Sequence, residues 1–260
     1  MSEPLTVTKE ISKTEISKSW GPISGILWVF LIYLVPQIIV GLIISIYPVI
    51  KHWNNARAQS WIDNATSAQF VYTLLVEAVS VLIVWSLIRY YKSSWKFIGL
   101  MWPKLKDIFY ALSGFVAYFI VYAILIDATT RLIPSLNINQ QQSIGFNNAT
   151  TVAELLMAFA SLVILPPIAE EIIFRGFLYQ GLRRKWSFRT ATVITSVLFA
   201  TPHLLEGAGG LLWVGAIDTF VLSIILCYLR EKTGRLAASM GVHALKNGVA
   251  FIALFILHTH

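Results

Sequence analysis

The chain has 260 residues, 57% of them hydrophobic and only 13% charged, with a mean hydropathy of +0.70. A water-soluble domain of this size is excluded, because too little polar surface is available to cover it. The net charge of +7 and the pI near 9.5 would suit nucleic acid, but the positions of the charges account for them otherwise.

Residues 1–20 are polar and mixed in charge. The apolar block that starts near Gly21 is too long for the core of a cleaved signal sequence, so it reads as a retained membrane helix. In chain order, seven apolar segments are long enough to cross a bilayer: 22–47, 68–90, 107–131, 151–178, 189–206, 210–230 and 236–257. A split or re-entrant segment would make eight. The expected fold is therefore an all-α, polytopic bundle of transmembrane helices. Its organisation is a polar N-terminus over 1–21, N-terminal transmembrane helices over 22–150, and a C-terminal transmembrane unit over 151–260. The connections 48–67 and 133–150 are polar and rich in turn formers. The single cysteine, Cys227, lies in an apolar run and reads as a packed thiol, with no intramolecular disulfide available.

Basic residues test the span count. With the N-terminus in the cytoplasm, the inner segments hold Lys9, Lys13 and Lys18; Arg89, Lys92, Lys96, Lys104 and Lys106; Arg183, Arg184, Lys185 and Arg189; and Arg230, Lys232 and Arg235. The outer segments hold only Lys51, Arg57 and Arg131. A wrong count would scramble that asymmetry. Topology thus explains the basic pI, and no nucleic-acid partner is needed. Asn64-Ala65-Thr66 and Asn148-Ala149-Thr150 match the glycosylation triplet in outer loops, a pattern common by chance.

An ionisable side chain at membrane depth costs roughly 2.5–3.5 kcal/mol on insertion scales, so each one calls for a reason. The fourth segment carries Glu170, Glu171 and Arg175; the fifth, His203; the seventh, His243, Lys246 and Asn247. Glu77 and Asp218 are comparably placed and read as structural residues or partners of the others. Glu171 and Arg175 share a helix face at i,i+4 and can pair, as can His243 and Asn247, whereas Glu170 points about 100° away from Glu171. The polar residues of three helices fall about 12–22 Å from the inner boundary at roughly 1.5 Å per residue, in one slab of the membrane. Pro166-Pro167 removes two backbone donors just before the glutamates. The carbonyls this frees need water or polar partners, as a wet cavity beside Glu170 would supply. Gly176 and Gly181 permit close contact farther along. His258 and His260, at the terminus, carry no role.

Three motifs emerge in order: Glu170-Glu171-Ile172-Ile173-Phe174-Arg175, Phe199-Ala200-Thr201-Pro202-His203, and His243-Ala244-Leu245-Lys246-Asn247. Together they resemble the signature of the CAAX protease and bacteriocin-processing (Abi-type) family of intramembrane glutamic endopeptidases. The resemblance covers roughly 150–257 and extends to Arg175-Gly176-Phe177-Leu178-Tyr179 and Thr233-Gly234-Arg235-Leu236. It implies a prokaryotic plasma-membrane hydrolase that cleaves a peptide bond in a peptide or protein substrate without a cofactor. Glu170 would be the general base and His203 would help hold the attacking water, while His243 and Asn247 would stabilise the oxyanion. Arg175 would pair with Glu171 and fix that helix face. The chemistry is sound in general terms, since a donor aimed at a developing oxyanion is worth about 3–4 kcal/mol of barrier.

Two rival functions use the same residues. Glu170, His203 and His243 could hold a catalytic zinc, although no H-E-x-x-H is present and the histidines lie on separate segments. Alternatively the chain is a non-catalytic membrane protein of the bacteriocin-immunity kind, with the polar residues gluing helices together. A transporter would show internal repeats, and the sequence has none. Oligomeric state and substrate identity are not encoded in any of these motifs.

Overall fold

The computed structural model describes residues 20–257. Lys9, Lys13, Lys18, His258 and His260 lie outside the described residues. Those described form an all-helical bundle of eight helices: α1 (Pro22–Ile50), α2 (Asn55–Asn64), α3 (Thr66–Tyr90), α4 (Leu105–Leu132), α5 (Val152–Arg183), α6 (Phe188–Leu204), α7 (Trp213–Thr233) and α8 (Ala237–Ile256). Six of them, all but α2 and α6, are long and apolar enough to cross a membrane. The seven expected spans correspond to α1 and α3–α8. At 17 residues, α6 is about 25 Å long, just short of a bilayer core. The eighth helix does not come from a split span. It is the short α2, inside the 48–67 connection.

Helix α5 touches α1, α3, α6, α7 and α8, and so forms the centre of the bundle. Many large apolar side chains of α1, α3 and α4 point outward, as lipid-facing helices require. By contrast, every residue from Glu171 to Tyr179 on α5 is buried. Helix α5 is not regular. It widens into π-turns over Ala160–Ile164 and Glu171–Leu178, on either side of the α-helical turn Leu165–Glu170 that contains Pro166 and Pro167. Such widened turns arise where the i→i−4 ladder is interrupted.

The two glycines after the glutamates serve close packing, although their neighbours are loop side chains. A Cβ at Gly181 would lie 2.5 Å from the Trp20 ring, and one at Gly176 would lie 3.2 Å from Ile98. Trp20 is buried, stacks on Phe177 at 4.3 Å and donates its indole N–H to the Phe177 carbonyl at 2.8 Å. Cys227 is a buried free thiol, as expected.

At the opposite end of the bundle, the connection 133–151 crosses to the loop after α6. The Ser143 N–H donates to the Glu206 carbonyl (2.8 Å), the Ala208 N–H to the Gln141 carbonyl (3.0 Å), and the Gln142 amide to the Glu206 carboxylate (2.7 Å). Asn148 donates its side-chain amide to the Asn64 side chain at 3.2 Å, so the two glycosylation-like triplets meet.

Candidate active site

The proline pair governs the local shape. Pro166 has no N–H, so the Leu162 carbonyl one turn earlier loses its helical partner. Asn247 on α8 supplies the substitute, donating from Nδ2 to the Leu162 oxygen at 2.9 Å. The carboxamide thus ties α8 to the break in α5, and it retains a second N–H and its oxygen.

Immediately beyond, Glu170 ends the α-helical turn and Glu171 opens the π-turn, which sends the two carboxylates in different directions. Glu171 is fully buried. Its Oε1 accepts from Arg175 Nη1 at 2.9 Å, across one turn, and from His243 Nδ1 at 3.2 Å, across the helix interface. The pair expected from i,i+4 spacing is therefore present, with His243 as a third member. Arg175 also lies over the Phe199 ring, 4.1 Å from its centroid.

His243 sits between the two glutamates. Its Nδ1 faces the acceptor-only carboxylate of Glu171, so Nδ1 carries the proton in that contact, and Nε2 lies 3.6 Å from Glu170 Oε2. That gap is too long for a direct hydrogen bond. His203, on the last turn of α6, points Nδ1 at the Phe199 carbonyl at 3.0 Å. A carbonyl can only accept, so Nε2 of His203 is free to accept a proton or orient a water. Both imidazoles flank the Phe199 ring, with centroids at 5.2 Å for His203 and 5.7 Å for His243.

These side chains share one opening. A cavity of about 260 Å³ is lined by Glu170, His203, His243, Lys246 and Asn247, with Glu206 at its edge and Leu162, Phe251 and Leu254 among its apolar walls. A second cavity, of about 120 Å³, lies on the other side of Glu170 and His203, against Tyr33, Glu77 and Glu206. The structure therefore brings together Glu170, His203, His243 and Asn247, and it places Glu171 and Arg175 behind them, away from the opening. The larger cavity is several times the share of one liquid water, about 30 Å³.

Lys246 pairs with Asp218 of α7 at 2.9 Å, and Asp218 also accepts the Tyr118 hydroxyl of α4. Asp218 is thus the partner of a cavity residue, one of the two roles its position suggested. Sequence reasoning missed Glu206, which lines both cavities. The available signal was its place three residues after His203, just beyond the end of α6. It also missed Phe199 as the ring on which the cation and both imidazoles pack, although Phe199 begins the second motif. Among the described residues, no three His, Cys, Asp or Glu side chains are arranged to hold a metal ion. His243 turns Nδ1 to Glu171 and Nε2 to Glu170.

Residues 152–249, which contain every residue of the three motifs, match the family model described as type II CAAX prenyl endopeptidase Rce1-like. Over this segment the chain is similar to the Rce1-like family. The chain is also similar to an uncharacterized Bacillus subtilis protein, YyaK, at 32% identity over 146 residues, covering 55% of this chain and 46% of YyaK. It thus spans about half the length of that relative. No solved structure matches. The Rce1-like segment holds α5, α6, α7 and most of α8, the four helices that line the larger cavity, three of which (α5, α6 and α8) carry the motifs. With six long apolar helices, the chain is an integral membrane protein.

Proposed function

We propose that this protein is an intramembrane endopeptidase that hydrolyses a peptide bond with a water activated by Glu170, its substrate a membrane-associated or lipidated peptide or protein. The observation that carries this reading is the single cavity within the helical bundle onto which Glu170, His203, His243 and Asn247 all open. Its apolar walls suit a membrane-borne chain, and the Rce1-like match over the same helices supports peptide-bond chemistry.

In the proposed reaction a water rests between the Glu170 carboxylate and the Nε2 lone pair of His203. Glu170 takes its proton while the oxygen attacks the peptide carbonyl carbon. Charge then gathers on the carbonyl oxygen. The second Asn247 N–H can reach such an oxyanion, and His243 can donate from Nε2 when it is protonated. The intermediate collapses as the C–N bond breaks, and the proton held by Glu170 passes to the departing amine. Glu171 and Arg175 take no part in these transfers; they hold His243 and the π-turn in place. The N-terminus is proposed to be cytoplasmic, with the mouth of the larger cavity toward the outer loops.

The test is a cleavage assay with purified protein in liposomes, offering prenylated and unprenylated peptides with free C-termini beside a transmembrane-peptide library. Glu170→Gln should reduce cleavage at least about 10³-fold while the protein stays folded, and chelators should leave wild-type activity unchanged. Loss of activity on chelation, with recovery on adding zinc, would replace this mechanism by the zinc reading of Glu170, His203 and His243.

A further inference from the structure

The outer end of α1 carries a cluster that the proposed chemistry does not use. Helix α1 stops in a two-bond cap. The His52 N–H donates to the Val49 carbonyl and the Trp53 N–H to the Pro48 carbonyl, both at 3.0 Å, and His52 adopts a left-handed φ of 53°. The turn brings α2 back over the end of α1, and three rings meet there. Tyr47, Trp53 and Trp61 have mutual centroid distances of 5.6, 5.0 and 5.8 Å. Two cations sit on these rings: Arg57 lies 4.5 Å over Trp53, and Lys51 lies 5.7 Å from the Tyr47 centroid. Both cationic residues are exposed, while Trp53 and Trp61 are half-buried.

Aromatic rings at a membrane boundary need no special explanation. The cations do. The topology leaves three basic residues in the outer segments, and one of them, Arg131, is paired with Asp127 at 2.8 Å. The other two both stand on this cluster, and no salt bridge engages either of them among the described residues. The acid of α2, Asp63, accepts from Gln59. At 100° per residue, Gln59 and Asp63 project from the side of α2 opposite Arg57 and Trp61. The helix thus separates its charges, with cations and rings on the side that covers the end of α1 and the carboxylate on the other. A guanidinium and an ammonium standing on neighbouring rings of one aromatic cluster, at a helix end where such rings favour the interface, are complementary to a phosphate monoanion.

We propose that Lys51, Arg57 and the Tyr47–Trp53–Trp61 cluster form a binding site for the headgroup of an anionic phospholipid in the outer leaflet. The site is independent of the catalytic reading. Each cation should contribute about five-fold to the preference for anionic over zwitterionic lipid, the equivalent of ~1 kcal/mol per basic residue near such a surface.

The test uses the full-length protein in detergent with photoactivatable phosphatidylglycerol or phosphatidylcholine, mapping crosslinks by mass spectrometry. Mapping is needed because the inner basic loops will bind anionic lipid too. The proposal expects phosphatidylglycerol crosslinks within residues 47–61, roughly 20- to 30-fold above phosphatidylcholine. They should fall to the phosphatidylcholine level in K51Q/R57Q and persist in the charge-conserving K51R/R57K. Equal labelling by the two lipids, labelling unchanged in K51Q/R57Q, or displacement of the lipid by an acidic peptide would each overturn it.

Discussion

Replacing Arg175 by Met removes the cation from the most enclosed charge pair in the bundle. Both side chains are fully buried, 2.9 Å apart. Cutting one partner from a buried pair costs about 3–5 kcal/mol, because the remaining charge has lost its compensation in a medium that solvates it poorly. The same change removes a guanidinium packed 4.1 Å from the Phe199 centroid, a contact worth up to about 2 kcal/mol when desolvated. One feature pulls the other way, since His243 Nδ1 stays 3.2 Å from Glu171 and can still donate to it. The lower part of the range, about 3 kcal/mol, is therefore expected, a shift of roughly 10² in the folded-to-unfolded ratio. Equilibrium unfolding in mixed micelles measures it, beside the double variant Glu171→Gln/Arg175→Met. With no isolated charge left, the double variant should recover much of the loss. A single variant within about 1 kcal/mol of wild type, or a double variant as unstable as the sum of two singles, would refute the view that this pair anchors the π-turn.

Asn247→Ala strips the Leu162 carbonyl of the donor that replaced the one Pro166 lacks. It should cost about 0.5–1.5 kcal/mol in the same unfolding assay, the net worth of one part-buried hydrogen bond at the cavity wall. Gly181→Ala drives a methyl group to 2.5 Å from the Trp20 ring. Overpacking of about 1–3 kcal/mol should follow, seen as a lower Tm and altered tryptophan fluorescence.

Much of the fold was legible because a bilayer imposes length and apolarity on whatever crosses it. The segments 68–90 and 107–131 appear as Thr66–Tyr90 and Leu105–Leu132. Helix α2 was not legible. Ten residues give too few turns for a 3.6-residue period to stand out from a polar connection. Within a single helix, spacing was a sufficient guide: Glu171 and Arg175 pair as i,i+4 geometry requires. Between helices it was not. The bond from His243 to Glu171 spans 72 positions and that from Asn247 to Leu162 spans 85, and both depend on how α8 crosses α5. The need for a partner at the proline break could be foreseen; that Asn247 would be the partner could not. The expected oxyanion donors are consequently more constrained than the motifs suggest, since Asn247 has one N–H committed and His243 has Nδ1 turned to Glu171.

Two adjacent carboxylates invite the assumption that they are interchangeable, and their surroundings argue against it. Glu171 is fully buried and already accepts from two donors, whereas Glu170 is 24% exposed and its Oε2 has no hydrogen-bond partner among the described residues. In the proposed reaction the base must meet its water, which is why the role falls to Glu170, on the cavity, and not to Glu171. Glu170→Gln should abolish cleavage while shifting stability by less than about 1 kcal/mol, since no hydrogen bond to its carboxylate is lost. Glu171→Gln leaves Arg175 buried without its counter-ion and should destabilise by about 3 kcal/mol or more, with activity reduced through a misplaced His243 but still measurable at temperatures where the variant is folded. Cleavage rates and unfolding free energies of the two variants, taken side by side, distinguish the roles. If Glu171→Gln proved as inactive as Glu170→Gln while remaining fully folded, the second carboxylate would have to enter the proton transfers itself.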